Sequence, residues 1–412
     1  VCPWHVLTTI RKAEYAELIA LYLTQGVAAA MWLVPLTSVL NAHGLTVLRP
    51  YGYAATGVAA FISPLIFGAM ADRHVSPVKV LRGLAFGTAL MIAIVSHAIG
   101  AGWNRWLVLG LIQMYSLCAS PLSSISSTVI LGRLANAQKE FGPIRGMYTL
   151  GWIIGCCIIS ALNADQSTRS GYAGAVTWLV VALCTFFLPP LETPRAVEQL
   201  TLRQRLGWDA LALLKNPDHR VVYLVVALQA IPLAAFYPFT PPHMRELGLQ
   251  HTTALMSLGQ VTEIFCMFTI GAALMRWRLK WIFVAGLVFS VLRFALCAMN
   301  SRFWLLAGVF LHGASFTLVY ITAQIYLDQR VGPSWRARAQ ALMTVVYNGA
   351  GNMLGYLSTG AWFAVCSGPA GTRWTTFWTG LALACVGVLI YFLAVYKGRA
   401  RENFPKHAVA PS

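Results

Sequence analysis

The sequence predicts an all-α membrane protein of twelve transmembrane helices, arranged as two pseudo-symmetric six-helix halves. Three observations lead there. Hydrophobic residues make up 58% of the 412 positions and charged residues only 10%, whereas a soluble domain carries roughly 25% charged residues. Twelve apolar runs each approach the roughly 20 residues that a helix needs to cross the hydrocarbon core. A polar stretch after the sixth run divides the chain, and the two parts repeat each other's punctuation.

The runs fall at 15–40, 51–71, 79–100, 104–132, 143–163, 171–191, 220–242, 253–275, 280–299, 303–327, 337–365 and 374–397. The first is the least regular because it holds Glu17. The even-numbered loops, both termini and the span ends next to them hold 23 of the 30 Lys and Arg residues, and the opposite side holds six: Arg49, Arg105, Arg169, Arg245, Arg302 and Arg373. Arg293 belongs to neither group and is left within span nine. Basic residues accumulate on the cytoplasmic side, so both termini are expected there, and an even number of spans agrees. The expected organisation is an N-terminal bundle (1–191), a cytoplasmic linker (192–219), a C-terminal bundle (220–398) and a cytoplasmic tail (399–412). Within the linker, Leu206 to Lys215 reads as a short amphipathic helix lying on the cytoplasmic face.

Composition also excludes. The net charge of +17 sits in short clusters between apolar runs, as orientation in a membrane requires, and no nucleic-acid recognition motif accompanies it. The nine cysteines show no disulfide or zinc spacing, and no metal site is expected. The sequence has no P-loop and no H-E-x-x-H motif. Gly349-Ala350-Gly351 lies in an apolar run with no strand before it, so it is not a dinucleotide fingerprint. An enzyme is not expected.

The internal repeat is specific. Gly68, Asp72 and Arg73 close the second span, with Lys79 following. Gly271 and Arg276 close the eighth, with Arg278 and Lys280 following, and both Gly68–Gly271 and Arg73–Arg276 are 203 positions apart. Gly151 and Gly155 in span five correspond to Gly351 and Gly355 in span eleven. Small residues four apart let helix backbones approach closely in lipid, and duplicated halves are a common plan of secondary transporters. On these residues the chain resembles the major facilitator superfamily. That resemblance implies that Asp72 and Arg73 pair with neighbouring helix ends and gate the site. His74-Val75-Ser76-Pro77 departs from the superfamily's glycine and basic run.

Five strings are similar to the nucleoside:proton symporter family within it. They are Phe141-Gly142-Pro143-Ile144-Arg145 continuing to Thr149 and Gly151-Trp152, Leu206 to Asn216, Met256 to Glu263, Leu292 to Leu296, and Arg338-Ala339-Gln340. The resemblance implies alternating access, proton-coupled nucleoside uptake with no cofactor besides the proton, and a multi-pass place in a bacterial inner membrane. A small-molecule substrate, a lipid surround and a monomer are expected. A sugar, glycoside or other polyhydroxylated solute carrier on the same fold, coupled or not, is the alternative.

An ionisable group at bilayer depth costs at least about 2.5–3.5 kcal/mol on insertion scales and marks a functional candidate. Glu263 is the foremost, with Gln260 three positions earlier on the same helix face. A carboxylate and an amide suit hydroxyl groups, and the resemblance implies that they hold the nucleoside sugar, with Glu263 also carrying the coupling proton. Arg145, Thr149 and Trp152 follow an i, i+4, i+7 stripe that offers a cation, a hydroxyl and a stacking ring. His312 and Phe316, one turn apart, match cavity positions that the family fills with a tyrosine and a phenylalanine. Gln324, Tyr320 and Asn348 are further candidates. Two departures bear on coupling and base recognition: Thr317 stands where the family has an acid, and Ala234 and Tyr237 stand where it has amides. Tyr237 remains a candidate binding residue. Glu17 is a second, weaker carboxylate, and Arg293 is expected to pair within the bundle.

Overall fold

The computed structural model describes residues 8–73, 76–188 and 208–398. Among them, nine helices are long and apolar enough to cross a membrane, and they coincide with the expected spans one, three to seven, nine, ten and twelve. The other three spans are helical too. They comprise Arg49–Arg73, then Thr252–Met256 followed by Leu258–Arg276, and the succession Pro333–Thr344, Val345–Gly351 and Asn352–Cys366. The chain is a multi-pass membrane protein with the expected two-half helical fold.

Every third span is broken near its middle. Span one runs Ala16–Leu33 and Leu36–Ala42 around Pro35, and span four Arg105–Ala119 and Leu122–Leu131 around Pro121. Span seven runs Pro217–Leu233 and Phe236–Glu246, just after Pro232. Proline removes an amide donor and crowds the carbonyl four residues earlier, so the helix bends or stops. Span ten follows the same plan without proline, with Arg302–Phe310, His312–Phe316, a π-helical turn Thr317–Ile321, and Thr322–Arg330. Span eleven carries a second π-helical stretch, Val345–Gly351.

The repeated glycines make equivalent contacts. Gly151 and Gly155 of span five lie against the backbone of span one at Leu23 and Val27, and Gly26 returns the contact at Tyr148. Gly355 of span eleven lies against span seven, where a Cβ would stand 2.7 Å from that of Ala234 and 3.0 Å from the Ile231 Cα. Spans one and five therefore pair as seven and eleven do.

One end of the bundle gathers the termini. Lys12 is hydrogen-bonded and ion-paired to Glu140 at the start of span five, and the amide of Lys397, past span twelve, donates to Asp218 at the start of span seven (3.2 Å). The opposite end ties the two halves together. Asp165, after span five, accepts from the Thr253 amide (2.8 Å) and from Ser160 (2.9 Å), while the Ala254 amide donates to the Ser160 hydroxyl (2.9 Å). Arg49 of the first half also lies over the Phe363 ring, 5.1 Å from its centroid. The His251 ring and the Ser160 carbonyl (3.1 Å) add a further contact between the halves at this far end.

Two details differ from expectation. Of the expected Leu206–Lys215 helix only Trp208–Lys215 is described, and it is a run of 3-10 turns, not an α-helix. Ala210 is fully buried, and Leu213 and Leu214 pack on the second half's core. Pro217 explains the short run, because the residue before a proline is pushed to extended backbone, as Asn216 is (ψ 122°). Between spans eleven and twelve, Ser367–Gly368 and Gly371–Thr372 form a small antiparallel ladder that no apolar pattern announces. Gly371, at φ 104°, supplies the backbone angle that closes it.

Candidate functional site

Spans five, seven, eight, ten and eleven enclose a central cavity of about 240 Å³, small against the roughly 300–1,000 Å³ of drug-sized sites. All eight binding candidates line it: Arg145, Thr149 and Trp152 from span five, Tyr237 from seven, Gln260 and Glu263 from eight, and His312 and Phe316 from ten. Both halves thus contribute, as a site between repeats requires.

Arg145, Thr149, Gln260, Glu263, His312 and Asn352 bring non-aromatic or imidazole polar groups to the cavity, and of these His312 bonds to Arg293 and Asn352 to Asn348. Gln260 is 6% exposed and its Oε1 is buried without a hydrogen-bond partner. Such an orphan acceptor is uncommon in a folded protein and calls for an explanation. Glu263, one turn on, forms no ion pair or side-chain hydrogen bond among the described residues, so it is not locked to a neighbouring helix. Arg145 is the cation whose charge reaches it from the other half, without closing to a salt bridge. Thr149 is buried, at the cavity wall.

The walls are aromatic. Tyr148 and Trp152 from span five lie 6.2 Å apart between ring centroids, and Trp152 and Tyr237 6.3 Å apart across the two halves. Tyr237 also stacks toward Tyr53 (6.3 Å). On the other side Phe316, Tyr320 and Tyr347 cluster, with Tyr320 and Tyr347 only 4.2 Å apart. Flat apolar faces with a polar end suit a planar ring joined to a hydroxylated one.

Sequence reasoning missed Tyr148, Leu233, Tyr347, Asn352 and Tyr356, which line the same cavity. The tyrosines read as ordinary residues of apolar helices. Their hydroxyls at mid-span were the available signal. Ala234 lines the cavity as well. Asn348 lines a second cavity of about 500 Å³, which meets the first at Asn352 and extends toward the termini end past Ser124, Ile125 and Ala341. Tyr320 packs in the aromatic cluster, and the Gln324 carbonyl accepts from Gln340 (2.8 Å). Neither lines the central cavity.

Other candidates lie elsewhere. The side chains of Asp72 and Arg73 are outside the described residues, so the gating expectation has no structural counterpart here. Glu17 is exposed at the start of span one and is not a cavity residue. Thr317 is fully buried and opens the π-helical turn of span ten without lining the cavity. Arg293 does pair within the bundle, with His312.

The sequence model of the nucleoside H+ symporter family matches residues 15–401. YegT of Escherichia coli (strain K12), a candidate nucleoside transporter by name, is 29% identical over 90% of this chain and 91% of its own length. The nucleoside permease NupG of the same organism is 25% identical over 84% of this chain and 86% of its own. A crystal structure of a NupG mutant superposes with a TM-score of 0.86 at 23% identity, covering 93% of this chain and all of that one. The match spans nearly the whole sequence, both halves included, and the chain belongs to the nucleoside H+ symporter family of membrane transporters.

Proposed function

We propose that this transporter takes up nucleosides by alternating access with the proton as its coupling ion, binding the ribose at Gln260 and Glu263 and the base among the aromatic walls. The single observation that carries the reading is the Gln260–Glu263 pair. It presents a buried, partnerless amide oxygen and an unpaired carboxyl side by side at a mid-membrane cavity, where polar groups are retained for function. A hydroxylated ligand satisfies both. Trp152, Tyr237 and Phe316 then offer faces to a planar base, and Arg145 and Thr149 offer polar contacts at its edge.

The excess of basic residues beside the termini supports a cytoplasmic side for both, in a bacterial inner membrane on this reading. The tied far end is then the outer one, and the chain is caught facing inward. Protonation of Glu263 changes which arrangement is favoured, and the proton gradient thereby drives the substrate. The working unit is one chain in lipid, and no cofactor beyond the proton is required. Asp72 and Arg73 are assigned to the inner gate.

A glycoside or other polyhydroxylated solute would use the same polar pair, but its puckered ring would offer the aromatic walls no planar face. Uptake of labelled uridine into proteoliposomes under an inward proton gradient separates the readings. Unlabelled adenosine should compete and free sugars should not. Equal competition by free sugars contradicts the nucleoside assignment and leaves the carrier fold untouched.

A further inference from the structure

Arg293 of span nine is buried to 1% exposure, and no carboxylate pairs with it among the described residues. Its guanidinium lies over the rings of Phe236 (4.9 Å) and Phe294 (4.6 Å), which partly replace the missing anion. Its Nη1 stands 2.6 Å from Nδ1 of His312. A guanidinium has only donors, so Nδ1 must accept. An imidazole that accepts at Nδ1 carries its single proton on Nε2, because a second proton would set N–H against N–H beside a buried cation.

Two further contacts fix the ring. It stacks on Phe236 at 3.8 Å with the planes 6° apart. Spans eight and ten also touch at this level: a Cβ at Gly259 would stand 3.1 Å from that of His312, and Gly313 lies against the Glu263 backbone. His312 therefore stands beside the Gln260–Glu263 pair. Its Nε2 has no partner among the described residues, and it is not one of the buried orphan atoms, so it is open to the cavity that His312 lines.

We infer that Arg293 is a positioning residue for substrate recognition. By occupying Nδ1 it locks His312 as a one-way donor, and this corner takes a ligand hydroxyl that accepts from His312 and donates to the Glu263 carboxyl. The chain of bonds runs in one direction, from Arg293 to His312 to the ligand hydroxyl to Glu263, whose carbonyl oxygen accepts in either protonation state. The hydroxyl part rests on the proposed sugar-binding role of Gln260 and Glu263. The tautomer part does not.

Solid-state NMR of the full chain in liposomes, with ¹⁵N-labelled histidine, reads the tautomer directly, and the signal lost in His312→Gln identifies the residue. At pH 7 the wild type and Arg293→Lys, which keeps a donor, should show His312 protonated at Nε2 only, and Arg293→Met should show a share of the Nδ1–H form. A wild-type ring protonated at Nδ1, or the same single tautomer in Arg293→Met, overturns the assignment. Uridine binding should weaken roughly three- to tenfold in Arg293→Met relative to Arg293→Lys, the worth of one hydrogen bond. Whichever of 2′-deoxyuridine and 3′-deoxyuridine lacks the contacted hydroxyl should bind both variants alike. An equal loss for all three ligands removes the hydroxyl from the relay. No uridine binding by the wild type refutes the nucleoside reading and with it the hydroxyl arm, and the NMR result still decides the role of Arg293.

Discussion

A single histidine tautomer illustrates how much one buried contact specifies. Nothing in the order of residues links Arg293 to His312, since they lie on different spans and meet only when those spans pack. What the sequence does show is that each is expensive in lipid, and cost is why Gln260, Glu263, Arg145 and His312 are legible as a set. Tyr347, Tyr356 and Tyr148 are not legible in that way, because an aromatic ring in an apolar helix usually serves packing. Tyr347 provides a test of its cavity role. Tyr347→Phe keeps the ring and should leave the fold intact, while Tyr347→Ala removes a wall and should weaken uridine binding by about 1–3 kcal/mol if the ring stacks on the base, the range seen for base–aromatic stacking. Isothermal titration of the purified variants measures it, and unchanged affinity in Tyr347→Ala takes the ring out of the site.

Helix pairs carry the next level of the argument. Gly151 and Gly155 against span one, and Gly351 and Gly355 against span seven, are the contacts for which the small-residue spacing was the sequence sign. Gly151→Leu places a side chain into the Leu23 backbone and should destabilise the folded bundle by at least the 1–3 kcal/mol or so of an overpacked core. A thermal-stability assay in detergent should show the loss, and wild-type stability would mean that the spans have room to part. The ties at the far end are a separate element. Asp165 accepts from a backbone amide of the other half and from Ser160, and charged hydrogen bonds contribute about 1.5–3 kcal/mol. Asp165→Ala should therefore raise the population opened at that end by roughly tenfold or more, read as greater reactivity of a cysteine placed at Thr253. Unaltered reactivity would assign closure to other contacts. Proline announces the breaks at Pro35 and Pro121. The π-helical turns of spans ten and eleven have no such mark, because an inserted residue leaves the apolar composition unchanged. Both bring residues to the aromatic cluster beside the cavity, in keeping with the frequency of such bulges at functional sites.

At the scale of the molecule, the apolar runs and the distribution of Lys and Arg contain most of the architecture, because lipid demands satisfied backbone and therefore long helices. The two-half plan follows from the repeated glycines and from the matching pairs of spans. The conformation, tied at one end and hollowed toward the other by the second cavity past Ser124 and Ala341, is not readable from sequence, since one chain must support both arrangements. Orientation has its own check: cysteine labelling near Arg373 should proceed from outside intact cells, and near Arg205 only after the membrane is breached. The reverse pattern would invert the bundle.

The most direct test of the central claim is accumulation of labelled uridine by Glu263→Gln in proteoliposomes, compared with wild type under the same proton gradient. Gradient-driven accumulation should be abolished while some uridine exchange across the membrane survives, because the amide retains polarity but cannot take up the proton. Concentrative uptake equal to wild type would remove Glu263 from the coupling mechanism.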